Sequence, residues 1–179
     1  TDPKVFDAAY TWIEHVDYIT AILTGTNVPN KIKRCRCAAG HKAMFNDSWG
    51  GYPDADFLSK LDPKLGCLRE TFSNTTYSID MSAGGLTKEW GDKLGIPAGI
   101  PIAMGAIDAH LGAVGSGIKE GTLIKIIGTS ACDMVVWPID SGIVNVPGIC
   151  GIVDGSILPG FFGLEAGQSA VGDIFNWFV

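Results

Sequence analysis

Apolar residues recur at helical spacing through the first part of the chain. Their intervals of three and four positions predict one amphipathic helix that runs from about residue 3 to Leu23. Pro3 suits the first turn of this helix, Asp2 or Thr1 can cap it, and Gly25 can end it. The same reasoning predicts shorter helices over residues 55–61, 64–71 and 88–94, and Thr87 is the expected N-cap of the last one.

The second half of the chain changes to strand-like patterns separated by glycine-rich turns. Residues 102–106 and 122–127 are apolar or alternating runs, and residues 132–137 are predicted to pair with 122–127. A small-residue helix is expected over 109–114, and a hairpin about Asp154 and Gly155 should join 148–153 to 155–158. Residues 159–169 are interpreted as a further glycine-rich turn.

Composition narrows the class of protein. The chain has 179 residues, of which 46% are apolar and 18% charged, as expected for a globular protein with a sizeable core. A net charge of −6 argues against nucleic-acid binding, and no apolar run is long enough for a transmembrane helix. Five cysteines without a regular spacing favour a reducing, cytoplasmic location. Because the start lacks Met and both ends lie in helical patterns, we expect an internal piece of a longer protein.

Three strand-end turns carry candidate chemistry. Asp108 follows a buried run, where its carboxylate can either cap the next helix or take a proton from a hydroxyl. The turn Gly128-Thr129-Ser130 can offer backbone N–H groups to a phosphate, although such tripeptides are also ordinary turns. Glu165 is flanked by apolar residues and therefore needs a partner, either in the protein or in a polyhydroxyl ligand. Open α/β folds gather strand ends in one crevice, so these turns are expected to meet.

The segment around residue 40 offers two further interpretations. The ammonium of Lys42 can reach a pocket while its aliphatic stem packs against apolar neighbours. Cys35, Cys37 and His41 could be named metal ligands, but their spacing does not match a zinc motif. Structural thiols are the preferred interpretation, and the metal ligands of the protein stay unassigned.

Taken together, these stretches resemble the FGGY carbohydrate kinases. The resemblance is carried by Trp12, Asp17-Tyr18-Ile19, Leu23-Thr24-Gly25, Gly40-His41-Lys42-Ala43-Met44, Gly105-Ala106-Ile107-Asp108-Ala109-His110, Gly128-Thr129-Ser130 and the stretch from Gly163 to Asp173. It implies an α/β fold of the actin-like ATPase (ribonuclease H-like) type. The chain would span the end of the first, sugar-binding domain (1–117) and the start of the second, ATP-binding domain (118–179).

The resemblance also implies an activity and a set of roles. The stretches around Lys42 and Glu165 are similar to those of family members that phosphorylate ribulose with ATP and Mg²⁺. Asp108 would be the general base, Lys42 and Glu165 would contact the sugar, and Gly128, Thr129 and Ser130 would hold ATP phosphates. The implied partners are ribulose and ATP, with no nucleic acid and no membrane, and a homodimer is left open.

Two departures from the family pattern limit this interpretation. The family's Asp-x-Gly-Thr phosphate motif and its later glycine-rich adenine motif are absent from residues 1–179, so the piece alone is expected to be inactive. Ala131 follows the Gly-Thr-Ser turn, where relatives often carry a hydroxyl residue. The alternatives are another FGGY kinase that acts on xylulose or glycerol, a sugar-binding protein without turnover, and an actin-like structural ATPase.

Overall fold

The protein is a mixed α/β structure, seen here in a computed structural model that describes residues 2–142 and 145–179. The helices are α1 (Pro3–Ala8), α2 (His15–Thr24), α3 (Arg36–Ala43), α4 (Ala55–Leu61), α5 (Pro63–Arg69), α6 (Lys88–Leu94), α7 (Asp108–Gly115) and α8 (Gly172–Phe178). The strands are β1 (Arg34–Cys35), β2 (Thr76–Tyr77), β3 (Ser82–Gly85), β4 (Pro101–Ala103), β5 (Ile124–Ile127), β6 (Ala131–Pro138), β7 (Gly151–Asp154) and β8 (Phe161–Gln168).

Over the residues that the structure describes, the strands form three separate sheets. β1 and β2 are a short parallel pair, and β3 and β4 are a short antiparallel pair. The largest sheet is antiparallel throughout, with the order β5-β6-β8-β7. The predicted pairing of 122–127 with 132–137 is confirmed, since Ile126 lies opposite Cys132 in the β5–β6 ladder. Strand β8 is therefore an inner strand, hydrogen-bonded on both edges.

The core is divided between the two halves of the chain. One cluster contains Cys35, Cys37 and Met104 and packs beneath α2 and α3. A second cluster joins α7 to the large sheet through Ala113, Met134 and Ile157, which are all fully buried, and Met134 and Ile157 are its large side chains. Each side chain of that size stabilises the fold by about 1.5–3 kcal/mol when it leaves water. Helix α7 is thus fixed against β5 and β6, and Asp108 is presented at its start.

Several helices follow the sequence prediction because their signals are local. Helix α4 occupies the predicted residues and its N-cap Asp54 accepts a hydrogen bond from the Phe57 N–H at 2.7 Å. Helix α6 also has the predicted bounds, with the Thr87 hydroxyl accepting from the Trp90 N–H. Asp2 caps α1, whereas Thr1, the alternative cap, lies outside the described residues.

The single helix predicted from residue 3 to Leu23 is wrong. Helix α1 ends at Ala8, and α2 begins only at His15. Between them, the guanidinium of the buried Arg34 donates hydrogen bonds to the Trp12 carbonyl at 2.9 Å and to the Thr11 hydroxyl at 3.3 Å. These bonds hold the segment outside helical geometry. The predicted end of the helix is confirmed, because Gly25 takes the left-handed conformation at φ 69°.

The glycine-rich turn predicted over 159–169 is also wrong, because most of it is strand β8. The hairpin does turn about Asp154 and Gly155, but its second strand begins at Phe161 instead of residue 155. Gly163 is needed within β8 because a Cβ there would overlap Ser156 and Ile157. This glycine therefore marks a close approach of the chain and not a turn.

Of two smaller expectations, one needs adjustment and one is met. The buried strand predicted over 102–106 is shorter in the structure, where β4 ends at Ala103. Met104 and Ala106 after it are buried as expected. The small-residue helix predicted over 109–114 is confirmed as α7. In the part of the chain that the structure describes, no helix has the length and apolar character to cross a membrane.

Candidate active site

Lys42 and Asp108 line one open cleft of about 490 Å³. Glu14 and His15 at the start of α2 form one wall, and residues 105–108 before α7 form another. The two side chains come from positions 66 residues apart, so folding brings together two residues that the sequence predicts for one site. The cleft is open to solvent and has charged groups on both walls, which suits a polar ligand.

Asp108 is the first residue of α7 and not its N-cap. Ile107 occupies the cap position, has extended backbone geometry and makes no side-chain cap. One oxygen of Asp108, Oδ1, accepts the N–H of Ala109 at 2.9 Å. Within the described residues the other oxygen has no hydrogen-bond partner, and the side chain is exposed to the cleft. Asp108 can therefore stabilise the helix start and still accept a proton from a ligand.

Lys42 lies near the end of α3. This helix is fixed by its buried face of Cys37, Ala38 and Ala39, and the Cys35 Sγ accepts the Ala38 N–H at its start. The Lys42 Nζ lies 3.0 Å from Glu14 Oε2, and both side chains are at least one third exposed. Exposed ion pairs contribute little to stability, so a ligand oxygen can displace Glu14 at small cost.

Glu165 lies outside this cleft lining, in the middle of β8, and not at a strand end as predicted. Its Oε2 atom is 3.1 Å from His41 Nδ1 and 3.1 Å from His110 Nε2. The expectation that this carboxylate needs a partner is met within the protein. His41 directly precedes Lys42, and His110 follows Asp108 by two positions. Glu165 is thus connected to the two helices that carry the cleft residues.

The electrostatics of this cluster follow from burial and close contact. The His110 imidazole beside it holds the pKa of Glu165 at about 2, well below its usual value. Burial alone would lower the pKa of His110, but the contacts with Cys37 and Glu165 outweigh it and raise the pKa to about 9. Burial, with the neighbouring His110, lowers the pKa of His41 to about 4. Near neutral pH the cluster therefore combines a carboxylate, one imidazolium and one neutral imidazole.

Each imidazole also makes a contact through the ring nitrogen that does not face Glu165. His110 Nδ1 lies 2.9 Å from Cys37 Sγ, and His41 Nε2 lies 3.0 Å from Ser156 Oγ. The Ser156 hydroxyl in turn reaches the Val153 carbonyl at 3.2 Å. Sequence reasoning missed this role of the two histidines. The available signal was their position, within two residues of Lys42 and Asp108.

The same cluster has donor atoms that could hold a metal ion. In the described part of the chain, His41, His110 and Glu165 are the group whose donor atoms approach one another closely enough to share an ion, all within 4.8 Å. Two imidazoles and a carboxylate are ligands that suit zinc. Cys35 and Cys37, which the sequence grouped with His41, are instead buried in the core. Their positions agree with the preferred interpretation of structural thiols.

The turn Gly128-Thr129-Ser130 links β5 to β6 at the surface, away from the cleft lining. Its carbonyls accept hydrogen bonds from the start of α8: the Val171 N–H reaches Thr129 O at 2.9 Å, and the Gly172 N–H reaches Gly128 O at 3.0 Å. Among the described residues, the N–H groups of Thr129 and Ser130 have no intramolecular acceptor. They are therefore free to donate hydrogen bonds to an anion.

A second cavity, of about 200 Å³, lies between α3, α4 and α5. Lys42 reaches its rim, but its walls are mainly apolar side chains of α4 and α5, such as Leu58, Leu61, Leu65 and Leu68. Apolar walls do not satisfy the hydroxyl groups of a sugar. The cleft that contains Asp108 is therefore the stronger candidate for polar chemistry.

The chain is similar to known proteins over almost all of its length. No protein-family model matches the chain. The chain is 47% identical to a ribulokinase of Vibrio parahaemolyticus over 178 residues, which covers 99% of the chain and 31% of the relative. It is 42% identical to a ribulokinase of Bacillus licheniformis over 179 residues, with coverage of 99% and 31%. The chain thus spans about three tenths of the length of these curated relatives.

The fold has a solved counterpart. The crystal structure of a xylulose kinase from Rhodospirillum rubrum superimposes with a TM-score of 0.76 at 22% identity, over 98% of this chain and 33% of the other. At that identity the likeness concerns the fold alone. The α/β fold of the actin-like type expected from the sequence is confirmed in this way. Along its whole length the chain is homologous to one segment of the FGGY carbohydrate kinases, and the curated relatives that carry this homology are ribulokinases.

Proposed function

We propose that the protein to which this chain belongs phosphorylates the terminal hydroxyl of ribulose with Mg-ATP to give ribulose 5-phosphate. The observation that carries the proposal is the shared cleft of Lys42 and Asp108, which provides a cation and a carboxylate for one polar ligand. The names of the curated relatives support ribulose as the sugar. A sugar kinase is the coarser conclusion, which both the relatives and the structural counterpart support.

In the proposed reaction Asp108 accepts the proton of the sugar hydroxyl as the oxygen attacks the γ-phosphorus of ATP in line. The bond from the γ-phosphorus to the bridging oxygen breaks, and ADP leaves with the electron pair. Lys42 gives up its ion pair with Glu14 and donates hydrogen bonds to the oxygens of the sugar. Glu165 lies outside the cleft lining, but its side chain is 21% exposed, and its carboxylate would accept a hydrogen bond from a sugar hydroxyl.

The phosphates would meet the Gly128–Ser130 turn. The free N–H groups of Thr129 and Ser130 suit anionic oxygens, whereas Ala131 has no hydroxyl to add a further contact. The carboxylate of Glu14 also lines the cleft and would offer the oxygen ligand that Mg²⁺ prefers. Mg²⁺, when bound with ATP, neutralises charge on the phosphoryl oxygens.

The domain assignment is part of the same proposal. Residues 1–117 would end the sugar-binding domain, and residues 118–179 would begin the ATP-binding domain. The large sheet, which starts at β5, and the α2–α3–α7 region would then lie on opposite sides of this boundary. A complete ATP site would need segments outside these 179 residues, so the isolated chain should be inactive.

The experiment is a coupled assay of ADP release by the full-length protein. Ribulose, xylulose and glycerol are compared at equal concentrations, and the isolated 179-residue chain is assayed beside it. We expect the highest kcat/KM with ribulose and no sugar-dependent ADP release by the isolated chain. A higher kcat/KM with xylulose or glycerol would contradict ribulose as the substrate and keep the sugar kinase. Absence of activity with every sugar would contradict the kinase.

A further inference from the structure

We propose that His41, Glu165 and His110 form a bridge that sets the separation of Lys42 from Asp108, with the two histidines acting as positioning residues. The proposal rests on the proposed function, because it concerns the geometry of that cleft. It goes beyond it by assigning roles to His41 and His110, which do not touch the cleft themselves. We call these three side chains the histidine bridge.

The histidine bridge connects three elements at a single atom. Glu165 Oε2 lies 3.1 Å from a ring nitrogen of His41 on α3 and 3.1 Å from a ring nitrogen of His110 on α7. The two imidazole rings lie 4.7 Å apart between centroids and are tilted by 34°. One carboxylate oxygen therefore fixes the distance between α3 and α7 at the level of the cleft.

The anchor of the bridge is rigid. Glu165 is paired with Met134 of β6 on one side and with Gly151 of β7 on the other, so its backbone is held in two ladders. A Cβ at Gly151 would lie 2.9 Å from His41 Nδ1, which shows how closely the ring of His41 is seated on β7. His41 is therefore held both by Glu165 and by the backbone of β7.

The histidines are also fixed on their outer sides. Cys37 Sγ contacts His110 Nδ1 at 2.9 Å, and Ser156 Oγ contacts His41 Nε2 at 3.0 Å. Both ring nitrogens of each histidine are thereby engaged, which sets the ring orientation. His110 is 1% exposed, so solvent cannot replace a lost contact.

Burial makes the bridge necessary. Within the described residues, Glu165 Oε2 and His110 Nε2 are buried and lack a well-directed hydrogen bond, so their contact at 3.1 Å is what offsets their burial. Without the carboxylate, two buried imidazoles would face each other, and the ring nitrogens that contact Glu165 would be left without a polar partner. Separation of α3 from α7 would relieve this, and it would move Lys42 and Asp108 apart.

Small displacements of this kind have large kinetic effects. A shift of about 1 Å in a reacting group costs about 100-fold in rate. Lys42 is adjacent to His41 in sequence, and Asp108 is two residues from His110, so a displacement of either histidine reaches the cleft directly. The bridge would thus act on kcat without contact between a histidine and the sugar.

The test uses the full-length enzyme and a double-mutant cycle. The single variants are Glu165→Gln, His110→Leu and His41→Leu, and the double variant combines Glu165→Gln with His110→Leu. The conservative variants His110→Gln and His41→Asn keep an N–H donor near the Nε2 and Nδ1 positions, respectively. Asp92→Asn, which removes a carboxylate from the exposed pair with Lys88, is the matched control. The readouts are kcat and KM for ribulose, and the melting temperature.

We expect His110→Leu and His41→Leu to lower kcat by about 10–100-fold with a smaller change in KM. In each conservative variant, the decrease in log kcat should be at most half of the decrease in the corresponding leucine variant. The double variant should be no slower than the slower of its two single variants, because residues of one network are not additive. Asp92→Asn should match the wild type.

Four results would overturn the proposal. Histidine variants with normal kcat would show that Glu165 acts on the sugar alone. Variants that lose melting temperature but keep kcat would show a purely structural cluster. Additive effects in the cycle would show independent roles. Stoichiometric zinc in the purified enzyme, lost in Glu165→Gln, would show a metal centre instead. A wild type without activity on any sugar would refute the proposed function itself, and the bridge would have no cleft to position.

Discussion

Gly40 of α3 lies directly against Val153 of β7. A Cβ at position 40 would overlap the Val153 side chain, so helix and strand approach more closely than any other residue at position 40 would permit. Gly40 directly precedes His41 and lies two residues before Lys42, and the contact seats these side chains at the large sheet. The position of the cleft residues therefore depends on this close approach.

Replacement Gly40→Ala should destabilise the protein by about 1–3 kcal/mol, the usual cost of adding a methyl group to a packed contact. Gly115→Ala is the matched control, since Gly115 is helical and a Cβ there meets nothing within 4 Å. The control should be neutral or stabilising by up to about 1 kcal/mol, because alanine favours helix. Urea unfolding of both variants measures the difference, and equal stability of the two would contradict the close contact.

Replacement Asp108→Asn keeps the shape of the side chain and removes the proton acceptor. We expect kcat of the full-length enzyme to fall by about 10²–10⁴-fold, the usual contribution of a positioned base. The affinity for ribulose, measured by calorimetry, should change far less. Asp92→Asn at an exposed site serves as the control. Turnover close to that of the wild type would refute Asp108 as the base.

Replacement Lys42→Met should raise the KM for ribulose by about 10–150-fold, which corresponds to about 1.5–3 kcal/mol for a hydrogen bond to a charged group. Its ion pair with Glu14 is exposed, so the melting temperature should stay nearly unchanged. Lys93→Met removes the same charge from an exposed pair with Glu89 and should leave KM unaltered. If Lys42→Met weakened only ATP binding, Lys42 would be an ATP-binding residue instead of a sugar-binding residue.

Asp17 provides a pH-dependent prediction. It is 2% exposed, its Oδ1 accepts the Cys35 N–H at 2.8 Å, and burial raises its pKa to about 6. The folded-state pKa is above the unfolded value of 3.8, so its contribution to stability is complete below about pH 3.8 and is lost as pH rises through about 6.

Asp17→Asn keeps an oxygen acceptor and removes the charge. At pH 7.5 we expect it to stabilise the protein by about 2–3 kcal/mol relative to the wild type. At pH 4, where the wild-type carboxyl is protonated, the gain should vanish. Urea unfolding at both pH values measures it, with Asp92→Asn as the exposed control. An equal gain at pH 4 and pH 7.5 would show that burial of the charge is not the cause.

His110 should dominate the alkaline side of the stability profile. Its pKa is raised to about 9, so its contribution is complete below about pH 6.5 and is lost as pH rises through about 9. Glu165, with its pKa lowered to about 2, contributes above about pH 4.5 and loses this as pH falls through about 2. The groups that face the pair are Cys37 and His41 on α3, and Cys132 on β6 beside Glu165.

His110→Gln should therefore lower the melting temperature by about 5 °C at pH 6, as expected for a loss of about 2 kcal/mol in a chain of this size. The gap should close by pH 9.5, where wild-type His110 is neutral as well. Calorimetric scans across this range measure the gap. A gap that is constant from pH 6 to pH 9.5 would assign the effect to packing instead of charge.

Elements whose signals lie within a few residues can be predicted from the sequence alone. Helices α4 and α6 have the predicted bounds because their caps, Asp54 and Thr87, adjoin the residues they serve. Strands β5 and β6 follow from alternation and a short connection, and Asp108 was identified from its position between an apolar run and a small-residue helix. Such features depend on local geometry, which the chain encodes directly.

Features that depend on residues far apart in the chain emerge only when the chain is folded. The break between α1 and α2 requires Arg34, which binds the Trp12 carbonyl across 22 positions. The sequence predicts a turn where β8 lies, because it shows Gly163 but not the close contact of this glycine with Ser156 and Ile157. The partners of Glu165 come from α3 and α7. A buried carboxylate predicts that a counter-charge exists, but only the packing of helices on the sheet determines which histidines supply it.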